Sequence, residues 1–598
     1  MMFVVRSIAT LLLSLLFISA CFSQEIKTPA ITATDLKAHV SYLASDELAG
    51  RYTGSEGGIA AAEYIRHEFG AAGLKLLAMN GFQEFEVVVN VHAGKENSLQ
   101  FNDITGNAGA DFTPFSFSKN ATVDAGVVFA GYGFDIDQDS LKWKDYDGVD
   151  VAGKWVMILR GDPEMDKQES RFARYGEDRD KVLTARDKGA AGVIFISGKK
   201  FDTADELTRM YFDKTQSTSG LPVIQVTRAL ADKILAGSGL KIELLESELI
   251  SSLKPASVLL KGELKVTTEV VQEKVMARNV IGMIEGSDPV LKDTYIVVGA
   301  HYDHLGMGGP GSGSRFMDGL AVHNGADDNA SGVAGIMELA AYLASDTRSF
   351  KRSIVFVAFD GEELGLLGSR HFVTSGMIDA RKMAAMINFD MIGRLKTENP
   401  SAMVGGTGTS IESEGLLTSL DTSLVRLSFS PEGFGPSDHA AFYGENIPVF
   451  FFSSGAHEDY HTPDDDWQRL NYEGEKDLLG MTAQLISGLA NRDLPLTFRE
   501  AGPKQQQGMG GYRFKVTLGI MPDFTATVEG GLGVGGVKKD GPAFKGGVLK
   551  GDVITAIDGK AVTDIYDYMN RLKKLQPGQV ISVDVDRNGE TLVLIIQL

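Results

Sequence analysis

The apolar positions of this chain follow two rhythms. Leu36, Val40 and Leu43, and then the run 60–69, recur at the spacing of helices with one buried face. That spacing predicts helices over about 34–77, interrupted by a polar, glycine-punctuated loop at 46–54. From about 123 the pattern turns to short strands bounded by glycine, at 126–133, 154–161, 192–196 and 221–226, with a helix around 181–188. Between about 279 and 489 apolar strands alternate with helical stretches. This is the α/β pattern of a mostly parallel sheet with helices on both faces. A Gly- and Gln-rich linker at 498–511 precedes short strands and turns over 512–598.

The predicted strand ends of the α/β segment carry the chemistry. Tyr295 to Ala300 runs into His301-Tyr302-Asp303-His304, Ser353 to Phe359 into Asp360-Gly361-Glu362-Glu363, and Met386 to Phe389 into Asp390. Ile447 to Phe452 is followed, after a loop, by Asp459-Tyr460-His461. In open parallel sheets a site forms beyond the carboxyl ends of the strands, so these groups converge on one edge. There they meet the turn at 324–332, which holds Asp327 and Asp328 ahead of the helical pattern Val333, Ile336, Met337, Leu339, Ala340 and Leu343. By itself that turn reads as a helix cap. Imidazoles and carboxylates without sulfur suit zinc or a similar divalent metal. The acids are too many for one three-ligand site, and a carboxylate can bridge two metals.

Charge and cysteine usage narrow the partners. The 598-residue chain carries a formal net charge of −21 and no long basic run, which argues against a nucleic-acid partner. At the N-terminus Arg6, the apolar run 8–20 and Cys21 read as a signal peptide over 1–21, too short to span a bilayer comfortably. Residues 18–21 resemble a bacterial lipobox. Either Cys21 is lipidated, giving a periplasmic or outer-membrane-anchored lipoprotein, or cleavage near Ser23 or Gln24 discards it. Both alternatives export the protein, and no transmembrane helix is expected in the mature chain. Cys21 is the only cysteine, so no disulfide or thiolate site is expected beyond it.

The segments VDVAGK at 149–154 and ARDKGAAG at 185–192 resemble a protease-associated (PA) domain, read here as an insert over 123–260. LGIM at 518–521, GVLKGDVI at 547–554 and IDG at 557–559 resemble a bacterial PDZ domain over 512–598. That resemblance implies binding of a peptide or protein C-terminus, with Leu518, Gly519 and Ile520 as the carboxylate loop. The set GAHYD at 299–303, GADDNASG at 325–332, GEELG at 361–365, NFDM at 388–391 and YHTP at 460–463 resembles peptidase family M28, the co-catalytic zinc aminopeptidases. The peptidase unit would comprise 24–122 and 261–497, a zinc-exopeptidase domain interrupted by the PA insert. The resemblance implies two Zn2+ per chain, with His301 and Asp390 holding one, Glu363 and His461 the other, and Asp327 bridging. It further implies Glu362 as general base, Asp303 orienting His301, Asp438 in the site wall, and a cis peptide between Asp327 and Asp328. The implied reaction removes N-terminal residues from peptides by a hydroxide activated between the zinc ions.

Two alternatives stay open: a carboxypeptidase or dipeptidase on the same metal site, which needs a basic pocket, and an inactive PA/PDZ binding protein, which would have lost ligands. His457-Glu458-Asp459-Tyr460-His461 matches H-E-x-x-H, but a glycine before it and Pro463 after it place it in a loop, where that motif cannot work. Ser437-Asp438-His439 are neighbours in sequence, unlike the members of a triad. His304, His323, His371 and His457 are read as structural, and the G-x-G-x-x-G matches at 306–311 and 531–536 lack a dinucleotide-fold context.

Overall fold

The computed structural model describes residues 30–138, 141–167, 169–214, 218–346, 349–502, 515–522, 530–538 and 541–598. The N-terminal apolar run, Cys21 and most of the linker lie outside the described residues. Among the described residues no helix is long and apolar enough to cross a membrane.

Two helices come first, α1 (Ala33–Leu43) and α2 (Glu56–Ala71). Their N-termini are capped by Thr32 and Ser55, whose hydroxyls accept the N–H of Asp35 and Gly58. Leu36, Val40, Leu43, Ile65 and Phe69 are fully buried, as the spacing predicts. Strand β1 (Phe82–Ala93) then leads out to an insert. The insert's sheet comprises β2 (Ser98–Phe101), β3 (Ile104–Gly106), β4 (Phe112–Pro114), β5 (Ala121–Ala130), β6 (Trp155–Leu159), β7 (Gly192–Ile196), β8 (Val223–Val226) and β9 (Ser257–Thr268). Its order is β3-β2-β9-β5-β6-β7-β8-β4, with β5 to β8 parallel. This sheet takes in strands before residue 123 and runs past 260, so it exceeds at both ends the 123–260 span expected from sequence. Strand β10 (Val270–Ile284) returns the chain and pairs antiparallel with β1 from Val270↔Ala93 to Val280↔Phe82.

The second large sheet is built on β11 (Tyr295–His301), β12 (Ser353–Phe359), β13 (Met383–Phe389) and β14 (Val449–Ser453). They lie in the order β12-β11-β13-β14 and all run parallel, so their carboxyl ends share one edge. β10 borders β12 antiparallel, and Ser401–Gly405 borders β14. One face packs under α1, α2, α4 (Gly332–Ala344) and α5 (Tyr472–Asn491); helices Leu367–Thr374 and His439–Gly444 cover the other. Helix α3 (Asp178–Asp187) belongs to the insert and reappears below. The central strands are buried on both faces, which is why they read as unbroken apolar runs. In α4, Val333, Ile336, Met337, Leu339, Ala340 and Leu343 are at most 3% exposed. Burying each of the large ones stabilises the fold by about 1.5–3 kcal/mol.

The C-terminal unit is a five-strand path: β15 (Ile520–Pro522), β16 (Leu532–Val537), β17 (Val553–Ile557), β18 (Val580–Arg587) and β19 (Glu590–Gln597), in that order. Between β17 and β18 it holds helix α6 (Ile565–Lys574), which the expectation of strands and turns did not include. Its core side is Tyr568 and Leu572. Leu518 is buried and Gly519 has φ +72°, with its carbonyl accepting Lys538 N–H. β15 lies at the sheet edge.

Candidate metal centre

The turn after β11 and the ends of β12 and β13 deliver their side chains to one cluster. His301 Nε2 lies 3.3 Å from Asp328 Oδ1 and 3.6 Å from Asp390 Oδ2. On the other side, His461 Nε2 lies 3.2 Å from Asp328 Oδ2 and 3.3 Å from Glu363 Oε1. Asp328 therefore presents one oxygen to each half of the cluster. His304, read from sequence as structural, also reaches it: its Nδ1 is 2.9 Å from Glu363 Oε1. Ligand atoms of His301, Asp328 and Asp390 lie within 4.8 Å of one another, as do those of His304, Asp328 and Glu363. All these residues are buried or nearly so.

Asp327 does not take the bridging position expected for it. Its Oδ1 accepts the N–H of Gly393 at 2.6 Å and the Ser331 hydroxyl at 3.1 Å, and its Oδ2 faces His457 Nε2 at 3.3 Å. The reason is local backbone geometry. Asp328 and Asn329 have non-helical dihedrals inside the turn Ala326–Ser331, so the adjacent acids point to different partners. The cis peptide is Asp328–Asn329, one bond later than expected. The capping expectation is met by a third residue: Asn329 Oδ1 accepts Gly332 N–H at 3.0 Å at the start of α4.

The supports differ from expectation as well. Asp303 meets His301 Nδ1 through its backbone carbonyl, at 3.1 Å, with the carboxylate at 3.7 Å. That carboxylate instead accepts the N–H groups of Glu362 and Glu363, at 3.0 and 3.2 Å, and so fixes the loop after β12. His461 Nδ1 is held by the Gly313 carbonyl at 3.0 Å, which leaves Nε2 directed at the carboxylates. Asp438 is fully buried, and burial pushes its carboxyl up to about 7. Ser437 instead receives a hydrogen bond from Asn388 and His439 stacks on Phe451, so the three form no triad. The H-E-x-x-H segment is not helical, and its two imidazoles face different acids.

Arg51, within the glycine-punctuated loop, is a buried hub that sequence reasoning did not single out. Its guanidinium donates to the carbonyls of Leu43, Tyr302, Asn324 and Gly325, tying the turn after β11 to the Asp328 turn. Burial lowers it to about 10, against the pull of Asp328, Asp303 and Asp465. Buried arginine bonded only to carbonyls is a positioning device. Its signal in sequence is only a polar loop with glycines on either side of an arginine.

Three buried carboxylates crowded against imidazoles, with no lysine or arginine between them among the described residues, need positive charge close by, which protonated imidazoles or a bound metal ion can supply. The donors fall into two sets that share Asp328: His301 with Asp390, and Glu363 with the imidazoles of His461 and His304. Nitrogen and oxygen ligands in that proportion fit two zinc ions.

Comparison with known proteins places these motifs. Residues 279–486 match the model of peptidase family M28, 115–234 that of the PA domain and 511–598 that of the PDZ domain. The chain thus carries a segment that matches peptidase family M28, with a PA-domain match before it and a PDZ-domain match after it. Aminopeptidase YwaD of Bacillus subtilis is 27% identical over 335 residues, which are 54% of this chain and 60% of that protein. A probable zinc metalloprotease of Pyrenophora teres f. teres is 34% identical over 159 residues, 26% of this chain and 32% of that protein. This chain thus spans between about a third and three-fifths of the length of these relatives. Among solved structures, an aminopeptidase from Aneurinibacillus sp. strain AM-1 aligns with 79% of this chain and 97% of its own, at 20% identity and a TM-score of 0.48.

Proposed function

We propose that this protein is an exported zinc aminopeptidase that removes N-terminal residues from peptides. The observation that carries the reading is Asp328, which offers one oxygen to His301 and the other to His461, with Asp390 and Glu363 completing the two sides. His301 and Asp390 would hold one zinc, Glu363 and His461 the other, and Asp328 would touch both; His304 would steady Glu363. Bound zinc supplies polarisation of the scissile carbonyl and lowers the pKa of the attacking water.

Glu362 takes the proton of that water and passes it to the leaving amine. Its carboxyl suits the task, because burial and the charges of Glu363, Asp438 and Asp390 push it well above the usual carboxylate range, although His301 opposes them. Tyr460 stacks on His461, and burial among the site's carboxylates keeps its phenol protonated, so it can donate to the oxygen that gains charge. The acids that remain attract the ammonium of a free peptide N-terminus, which limits cleavage to the first residue. Arg51 is engaged by carbonyls, so it does not favour recognition of a substrate carboxylate, and Arg394 pairs through one of its nitrogens with Asp459 at 2.7 Å.

The test is a panel of aminoacyl-anilides beside their N-acetylated forms, with chelation and zinc add-back. Free substrates should be cleaved, blocked ones should not, and the chelated enzyme should recover with zinc. Equal cleavage of free and blocked substrates would overturn the aminopeptidase reading.

A further inference from the structure

His461 is the most precarious member of the cluster. It belongs to a loop, not to a strand end or helix, and its φ of +57° is one that a β-carbon disfavours. Such a conformation persists only where neighbours impose it. The His461 ring is held by the Gly313 carbonyl and the residue's own carbonyl accepts Arg315 N–H at 2.9 Å, and the loop around it meets the Asp328 turn on both sides. Four residues before His461, the Nε2 of His457 lies 3.3 Å from Asp327 Oδ2. Four residues after it, Asp465 accepts the N–H of Asp327 and of Asp328, each at 3.0 Å, while its carbonyl accepts Ala326 N–H at 2.9 Å. The Asp465 end of the loop is hydrogen-bonded to the turn that carries Asp328, and the His457 end faces Asp327 of that turn across 3.3 Å. Asp327 is itself immobilised from behind by Gly393 and Ser331 and has no solvent exposure. The His301–Asp390 side is tied to the same turn by other groups: Asn329 accepts the N–H of Met391 at 3.2 Å and donates to the Phe389 carbonyl at 2.9 Å, and Arg51 links the Tyr302 carbonyl to those of Asn324 and Gly325.

We propose that Asp327 and His457 are a positioning pair for His461. Together with Asp465 they set the location of its imidazole relative to Asp328 and Glu363. Through His457 they thereby govern the affinity of the metal position that His461 and Glu363 form, and not that of the His301–Asp390 position. This extends the two-zinc reading above and rests on it. Removing a residue that orients a metal ligand typically costs about 10–100-fold in metal affinity.

The experiment is zinc titration of the metal-free full-length protein against a competing chromophoric chelator. The wild-type chain should take up two equivalents. His457→Ala should keep one at wild-type affinity and bind the other about 10–100-fold more weakly. His457→Gln, whose amide N–H can reach the Asp327 carboxylate, should recover most of the loss. The unchanged equivalent reports that the variant is folded. Two equivalents at wild-type affinity in His457→Ala would overturn the proposal, as would equal weakening of both, which marks a general role in stability. A wild-type chain that binds fewer than two zinc ions would overturn the two-zinc reading itself, and the positioning role with it.

Discussion

Asp328 Oδ2 lies 3.2 Å from His461 Nε2, although the two residues sit on separate loops and neither belongs to a strand. The other Asp328 oxygen faces His301. Asp328→Ala removes the one carboxylate shared by both halves, so both zinc equivalents should weaken and turnover should be lost. Glu363→Ala should affect one equivalent only. Zinc content after gel filtration, measured beside kcat, separates the two outcomes; a fully metallated Asp328→Ala would disprove the shared-ligand role.

Glu362 stands beside the cluster without being needed to hold it. Glu362→Gln keeps the shape and loses the base, so it should retain two zinc ions while kcat falls about 10²–10⁴-fold. The measurement is kcat and KM on an aminoacyl-anilide together with metal analysis. Normal turnover would remove Glu362 from the mechanism.

Metal uptake should release protons. In the metal-free chain burial acts to lower His461, but hydrogen bonds to Asp328 and Glu363 outweigh it and lift the imidazole to about 11. His301 is likewise raised well above 6.5 by Glu362, Asp390, Asp303 and Asp328 against the effect of burial. Both rings are protonated at neutral pH and must lose that proton to bind metal. Zinc affinity should therefore climb with pH, and calorimetric heats should differ between buffers of different ionisation enthalpy. The same sign governs stability of the metal-free protein. A histidine raised from 6.5 contributes fully below pH 6.5, and its contribution is lost as pH rises towards about 11. Chemical denaturation should show that loss in the wild type and less of it in His461→Gln.

Much of the fold was legible because burial leaves a period. The unbroken apolar runs of β11, β12 and β13 and the helical stripe of α4 each follow from being covered by packed neighbours. The edge where the site forms then follows from strand direction. What could not be read was the division of labour within 327–329. Asp327, Asp328 and Asn329 have similar side chains, and only Gly393, His457 and Phe389, distant in sequence, decide which one faces the cluster. His304, read as structural, gave no sign of its partner for a related reason, since an imidazole three residues beyond His301 reaches Glu363 only after the chain turns. Helix α6 carries a helical stripe in Ile565, Tyr568 and Leu572, but it is only ten residues long and is set among short strands and turns.

That helix makes a contact with a testable energy. Arg571 pairs with Asp187 of α3 at 2.5 and 2.8 Å, Arg186 of α3 pairs with Asp567 of α6 at 2.6 Å, and Lys573 meets Asp180 at 2.7 Å. Arg571 and Asp567 are almost wholly buried, so these are not freely solvated surface pairs. Arg571→Glu should loosen the PDZ domain from the insert, seen as faster proteolysis in the linker. Adding Asp187→Arg should restore it, with a coupling of about 1–3 kcal/mol in a double-mutant cycle. A double variant no better than either single one would show that this pair does not hold the domains together.

The most direct test of the account is anomalous diffraction at the zinc edge from crystals of the metallated protein. Two peaks should flank Asp328, one touching His301 and Asp390 and the other Glu363 and His461, with none beside Asp327. A single peak, or a peak coordinated by Asp327, would contradict it.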